Sequence, residues 1–288
     1  MADQEVVLRL DGLDKTFTSA RGLLSRGSTT HAVDDVDLEV RRGETLALVG
    51  ESGSGKSTVA RMALRLLDAD AGTITFAGQD ITHLSARRMR PLRREMAMVF
   101  QDPYASLNPR QRVGQTIRNV LANFDLPRSD ERIAELMVQV GLDPRFATRY
   151  PHEFSGGQRQ RIGIARALAS QPRLLVADEP VSALDVSVRA QILNLLTDLR
   201  DQHQLAVLLI SHDLAVVKTV ADRVAVMREG RIVEQGSVEQ VYMHPRDDYT
   251  RALLAAVPVP DPARRRRRTL TVAETAQIPG DGVDGVER

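Results

Sequence analysis

Thr45-Leu46-Ala47-Leu48-Val49-Gly50-Glu51-Ser52-Gly53-Ser54-Gly55-Lys56-Ser57-Thr58 is the stretch that decides how the rest of the chain is read. Thr45 to Val49 is a short apolar run and predicts a buried strand. Gly50 to Ser57 satisfy G-x-x-x-x-G-K-[ST] at every fixed position. Behind the loop, Val59, Met62, Ala63, Leu66 and Leu67 fall on one helical stripe, which predicts a helix packed against a sheet. A strand, a glycine-rich loop and a helix in that order make a P-loop. A flexible Gly/Ser linker would have neither the buried strand before it nor the amphipathic helix after it.

The residue types suit polyphosphate. A helix N-terminus offers unpaired N–H groups and partial positive charge. Gly50, Gly53 and Gly55 let the backbone close tightly around an anion. Lys56 adds a mobile cation for the β- and γ-phosphates, and the Ser57 hydroxyl is placed for Mg²⁺.

Composition sets bounds. The chain has 288 residues, 42% hydrophobic and 27% charged, as expected for a globular protein able to bury a sizeable core. A net charge of +1 gives no global field for nucleic acid, and 3% aromatics with no Trp argue against base-stacking platforms. We therefore expect no specific nucleic-acid partner. The absence of cysteine excludes disulfides, Cys-ligated zinc and cysteine-held iron–sulfur clusters. Met1 to Glu5 are acidic and lead into a strand, unlike a signal peptide. No apolar run approaches the ~20 residues that span a bilayer.

Along the chain, Val6 to Leu10 and Val33 to Val40 read as strands, with a Gly/Ser/Arg-rich surface loop over 18–31 between them. Asp68 to Gly72 read as a turn, then Thr73 to Phe76 and Ala97 to Phe100 as short strands. From about 101 to 165 helical patterns dominate, notably Val113 to Phe124 and Asp130 to Val140, which predicts an inserted helical region. Leu174 to Ala177 and Leu205 to Ile210 return to strand, separated by a helix marked by Val188, Ile192, Leu195, Leu196 and Leu199. The expected fold is an α/β domain with a mostly parallel sheet. From Val257 the chain is Pro-rich, then carries Arg264 to Arg268, and reads as a disordered extension over 257–288. The arginine run suits either anionic lipid or RNA, or simple solvation, and solvation is the commoner case.

Arg173-Leu-Leu-Val-Ala-Asp178-Glu179 is an apolar strand ending in two carboxylates. Alone, such a pair is usually a turn or helix cap. With a P-loop upstream, Asp178 suits Mg²⁺ and Glu179 suits orienting the attacking water.

With Phe154-Ser155-Gly156-Gly157-Gln158 the sequence resembles the ATP-binding cassette (ABC) family, whose signature is written LSGGQ. The resemblance covers about residues 5 to 260. It implies a P-loop ATPase domain over 5–256, with an N-terminal antiparallel β region and a helical subdomain at about 101–165. It implies ATP held by the loop Gly50, Glu51, Ser52, Gly53, Ser54, Gly55, Lys56, Ser57 and Thr58. It also implies that Ser155, Gly156, Gly157 and Gln158 bind the ATP of an opposing subunit, although Ser155 also reads as a plain helix cap. Gln101 looks like the Q-loop glutamine on Mg²⁺ or the attacking water, Asp185 in Ser182-Ala-Leu-Asp like the interface D-loop, and His212 like the H-loop histidine at the γ-phosphate. Phe17 resembles the aromatic residue that stacks on adenine, against the plain alternative of a core Phe.

Val99-Phe-Gln-Asp-Pro-Tyr-Ala-Ser-Leu-Asn-Pro109 and His244-Pro-Arg-Asp-Asp-Tyr-Thr-Arg-Ala-Leu-Leu254 narrow the likeness to oligopeptide/dipeptide/nickel importer ATPases. Arg21-Gly-Leu-Leu-Ser-Arg26, His31-Ala-Val33 and Leu92-Arg-Arg94 resemble the second ATPase subunit of such importers. The cysteine-rich C-terminal segment of some relatives is absent. The implied role is peripheral, on the cytoplasmic face of the cell membrane. The implied partners are a paralogous ATPase subunit, two transmembrane permease subunits and an extracytoplasmic solute-binding protein. The competing expectation is a soluble ABC ATPase, such as an accessory protein of phosphonate metabolism.

Overall fold

The computed structural model describes residues 5–18, 29–102, 104 and 106–256. Most of the loop expected over 18–31, the residues Pro103 and Ala105, and the extension over 257–288 with Arg264 to Arg268 lie outside the described residues. The strands are β1 (Val6–Thr18), β2 (Thr29–Arg41), β3 (Thr45–Val49), β4 (Ala71–Phe76), β5 (Gln79–Asp80), β6 (Met96–Val99), β7 (Leu174–Asp178), β8 (Ala206–Ser211), β9 (Arg223–Arg228) and β10 (Arg231–Ser237). The helices are α1 (Lys56–Ala63), α2 (Ala86–Leu92), α3 (Val113–Asn123), α4 (Asp130–Gln139), α5 (Gly156–Leu168), α6 (Val186–His203), α7 (Leu214–Val220), α8 (Val238–Met243) and α9 (Asp248–Ala255).

The strands form two sheets. One is antiparallel, in the order β2-β1-β4-β5. The other runs β10-β9-β3-β8-β7-β6, and every neighbouring pair in it is parallel except β10 with β9. The fold is thus α/β with a mostly parallel sheet, as the sequence pattern predicts, and an antiparallel N-terminal sheet, as the family resemblance implies.

Strands β3, β7 and β8 are buried at every position, which is why they read as unbroken apolar runs. Successive side chains on a strand point to opposite faces, so each strand feeds two cores. Leu46, Leu48, Leu174, Val176, Leu208 and Ile210 join α1 and the antiparallel sheet. Leu175, Ala177, Val207 and Leu209 join Ile117, Leu136, Ile162 and Ile192 of the helical layer. Ala47 and Val49 face Leu214, Val217 and Val241, with Leu253 and Leu254 of α9 at the edge. Each such Leu or Ile contributes about 1.5–3 kcal/mol by leaving water.

Two local readings are corrected. Helix α1 ends at Ala63, so Leu66 and Leu67 are not on it, and Leu66 is 56% exposed. Arg65 adopts φ 51°, its N–H donates to the Met62 carbonyl at 2.7 Å, and the Leu66 N–H donates to the Arg61 carbonyl at 2.8 Å. That is a Schellman closure, with arginine where glycine is usual. Its guanidinium is held by the Ile81 carbonyl at 2.9 Å, which ties the turn to the antiparallel sheet. Second, Thr29 to His31 belong to β2 rather than to a loop, because Thr16, Phe17 and Thr18 supply partners for them.

The parallel topology positions the site. β3, β6, β7 and β8 point the same way, so Gly50, Phe100, Glu179 and His212 all follow strand ends on one edge of the sheet. In open α/β sheets ligands bind in the crevice outside those carboxyl ends.

Candidate nucleotide site

The P-loop wraps the N-terminus of α1 at the mouth of a cleft of about 620 Å³. Its floor and walls include Gly50 to Gly53, Gly55 to Thr58, Gln101, Glu179, His212, Ala32 and Leu253. Two glycines are required by close approach. A Cβ on Gly50 would lie 2.1 Å from the Met227 carbonyl oxygen, and one on Gly55 would lie 2.0 Å from that of Ala32. The loop is therefore pressed between β9 and β2 with no space for side chains at these positions. Ser54 is buried; its carbonyl accepts from the Gly230 N–H at 3.1 Å, which ties the loop to the β9–β10 turn.

Lys56 is only 5% exposed. Its ammonium donates to the Gly50 carbonyl at 2.8 Å, the Glu51 carbonyl at 2.6 Å and Ser54 Oγ at 3.2 Å, which uses all three protons. Burial holds its pKa below the usual lysine range, opposed by the nearby Glu179 and Asp178 carboxylates. A phosphate anion in this cleft would meet a cation already desolvated and held by the loop, and would take over one or more of those hydrogen bonds.

Asp178 closes β7 and is buried. Its Oδ1 accepts from Ser57 Oγ at 3.1 Å. Burial pushes its pKa up, the Ser57 hydrogen bond works against that, and the adjacent Glu179 charge adds to it. Among the described residues no three His, Cys, Asp or Glu side chains gather as a metal cage. What is present is the Ser57 hydroxyl on the Asp178 carboxylate, with Gln101 lining the cleft beside Ser57 and its amide nitrogen on Glu179. That hard-oxygen set fits Mg²⁺, which binds one or two protein groups and completes its octahedron with phosphate and water.

Glu179 is held from three sides. Its backbone takes φ 46°, a left-handed conformation that turns the chain off β7 into the crevice. Its N–H donates to the Ile210 carbonyl at 3.0 Å. Gln101 Nε2 donates to its Oε2 at 2.9 Å, and His212 Nδ1 lies 2.9 Å from its Oε1. A carboxylate can only accept, so Nδ1 carries the proton in this contact. Positive φ at a non-glycine residue costs about 1–3 kcal/mol and is kept where surroundings fix a functional side chain.

The next turn is pinned to Glu179. Ser182 Oγ donates to the Glu179 carbonyl at 3.1 Å, and the Arg189 guanidinium donates to the Leu184 carbonyl at 2.7 Å and the Ser182 carbonyl at 3.3 Å. Asp185 stands exposed at the start of α6 with no side-chain cap bond.

Ser155 caps α5. Its Oγ accepts from the Gln158 N–H at 3.3 Å, and Gln158 Oε1 accepts from the Ser155 N–H at 3.0 Å. The cap reading of Ser155 is thus part of its role. Gly157 is buried where a Cβ would lie 2.4 Å from Val188 Cγ1 of α6. Ser155, Gly156, Gly157 and Gln158 do not line this chain's own cleft.

Phe17 is 44% exposed on β1, opposite Thr30, with Lys15 Nζ 5.8 Å from its ring centroid. It is no core Phe. It does not line the cleft, but Ala32, two residues along β2 from its pairing partner, does.

Sequence reasoning left two groups of contacts unassigned. Leu253 and Ala32 line the cleft, and Tyr249 bonds to the P-loop, because the folded chain returns α9 and β2 to it. The stretch around Tyr249 stood out in the sequence, but nothing in its spacing indicated this contact. In the second group, α5 contacts the chain on both sides of Gln101. Gln160 Nε2 donates to the Phe100 carbonyl at 3.5 Å, the half-buried Arg166 donates to the Ser106 carbonyl, and the Arg159 guanidinium sits 3.7 Å over the Tyr104 ring.

A family model described as ABC transporter matches residues 33–182, and one described as oligopeptide/dipeptide transporter, C-terminal region, matches residues 233–282. Glutathione import ATP-binding protein GsiA of Salmonella paratyphi A is 51% identical over 278 residues, covering 95% of this chain and 45% of that protein. GsiA of Shigella flexneri is 52% identical over the same shares. The chain thus spans about half the length of these curated relatives. Among solved structures, the dimeric bacterial ABC transporter cassette MJ0796 superposes with a TM-score of 0.70 at 27% identity, covering 80% of this chain and 98% of that one. CbiO1 of Clostridium perfringens, part of the ABC transporter complex cbiONQ, gives 0.73 at 28% identity over 84% and 92%.

Proposed function

Because the chain belongs to the ABC transporter family, we propose that it is the ATP-hydrolysing subunit of an importer for oligopeptides, dipeptides or related solutes. The observation that carries this reading is the meeting of Gln101 and His212 on the Glu179 carboxylate, in the cleft that also holds Lys56 and Ser57. Import rather than a soluble role is supported by the C-terminal match to oligopeptide/dipeptide transporters and by the import names of the relatives.

Lys56 and the P-loop amides bind the β- and γ-phosphates. Ser57, Asp178 and Gln101 would hold Mg²⁺, which when bound supplies charge neutralisation at those phosphates. Glu179 orients the attacking water and takes its proton, and Gln101 and His212 keep that carboxylate aimed. His212 also lines the cleft, and its single Nδ1–H would turn from Glu179 to the transferring phosphoryl group. Phe17 stacks on adenine.

The exposed Ser155 cap and Asp185 suit an opposing subunit, since neither reaches the chain's own cleft. The second subunit is a paralogous ABC ATPase, and two ATP molecules are closed between the pair. Two transmembrane permease subunits dock at the segment from Gln101 to Pro109, in which α5 holds Tyr104 and Ser106. An extracytoplasmic solute-binding protein delivers the solute. The chain acts peripherally on the cytoplasmic face of the cell membrane; none of its described helices is long and apolar enough to cross a membrane.

Affinity capture of tagged Glu179→Gln from detergent-solubilised native membranes, with ATP and Mg²⁺, tests the assembly. Polytopic membrane proteins and a second ABC ATPase should co-purify. Recovery of the chain alone, or only with soluble enzymes, would contradict it.

A further inference from the structure

Helix α9 lies far along the chain from the P-loop, yet it touches the loop directly. The Glu51 N–H donates to the Tyr249 hydroxyl at 3.1 Å, across 198 residues of sequence. The helix is set in place from several sides. The Glu234 carboxylate on β10 accepts from the Arg246 N–H at 2.9 Å and the Asp247 N–H at 3.1 Å. Asp247 Oδ1 caps α9 through the Tyr249 N–H at 2.8 Å, and the Arg228 guanidinium sits 5.1 Å over the Tyr249 ring. The tyrosine is therefore presented to the loop by a built scaffold.

The Glu51 N–H and the Gly50 carbonyl belong to one planar peptide group and point in opposite directions. The Gly50 carbonyl accepts from Lys56 Nζ at 2.8 Å. One rigid plane therefore links the tyrosine hydroxyl to the lysine ammonium. Gly50 has no Cβ and would otherwise leave that plane free to turn. We infer that Tyr249 is a positioning residue for Lys56, acting through the Gly50–Glu51 peptide, so that α9 is part of the nucleotide site. Leu253, one turn further on, lines the same cleft. The inference rests on the proposed role of Lys56 as the phosphate-binding cation.

A double-mutant cycle on the 288-residue chain tests it, with ATP dissociation constants from calorimetry for the parent, Tyr249→Phe, Lys56→Ala and the double variant. Phe keeps the ring against Arg228 and removes only the hydroxyl that accepts from the Glu51 N–H. Tyr249→Phe should weaken ATP binding by about 3- to 10-fold, the worth of one hydrogen bond. The nucleotide-free melting temperature should move by no more than about 4 °C. In the Lys56→Ala background the same substitution should cost less than about 2-fold, because its target is gone. Parent-like affinity of Tyr249→Phe beside a weakened Lys56→Ala would overturn this inference alone. An equal loss in both backgrounds would also overturn it, since the tyrosine would then act independently of the lysine. Parent-like affinity of Lys56→Ala would overturn the reading of the cleft and this inference with it.

Discussion

Glu179→Gln should lower ATP turnover by about 10²- to 10⁴-fold while nucleotide binding is kept, the loss that follows removal of a general base. The substitution is nearly isosteric, so the P-loop and its contacts stay in place. Its electronic effect is specific. In the parent, Gln101 Nε2 and His212 Nδ1 each donate to one carboxylate oxygen, at 2.9 Å in both cases. A glutamine offers one oxygen and one NH₂, so one of the two donors meets another donor. The catalytic group loses its basicity and its aim together. Binding is kept because a negative charge has been removed from beside a polyphosphate. Steady-state phosphate release, measured alongside ATP calorimetry, checks both halves. Parent turnover in the partnered protein would remove Glu179 from the mechanism.

Lys56→Ala acts on the other half of the site. The ammonium gives charge-assisted hydrogen bonds, which are worth roughly twice neutral ones. Its loss should weaken ATP binding by about 10- to 100-fold. In the nucleotide-free chain the same change leaves the Gly50 and Glu51 carbonyls and Ser54 Oγ without their shared donor. The loop should then lose order as well as charge. An ATP titration showing unaltered affinity would count against the assignment.

The parts legible in the sequence are those written in spacing or in period. The run from Gly50 to Thr58, the paired carboxylates after β7 and the apolar strands β3, β7 and β8 each carry a local signal, and the fold follows from them. The misread parts depend on context. Arg65 in a left-handed turn stops α1 short of Leu66, because the Ile81 carbonyl rewards an arginine where a glycine would have announced the end. Thr29 to His31 look like loop residues, and become strand only because β1 runs on to Thr18 beside them. The candidate site divides in the same way. The chemistry-bearing residues could be named from ordered motifs. The hydrogen bonds on Glu179 could not, because they join residues 33 and 78 positions apart. The bond from Glu51 to Tyr249 is longer still in sequence and has no motif.

The role proposed for hydrolysis in this cleft is to drive solute into the cell. Its most direct test is uptake by cells of the native host lacking this chain. The panel would be labelled glutathione, dipeptides and oligopeptides, with the parent or Glu179→Gln supplied in trans. Uptake of at least one panel member should be lost on deletion, restored by the parent and not restored by Glu179→Gln. Uptake of the whole panel unchanged by deletion, or restored equally by Glu179→Gln, would contradict it.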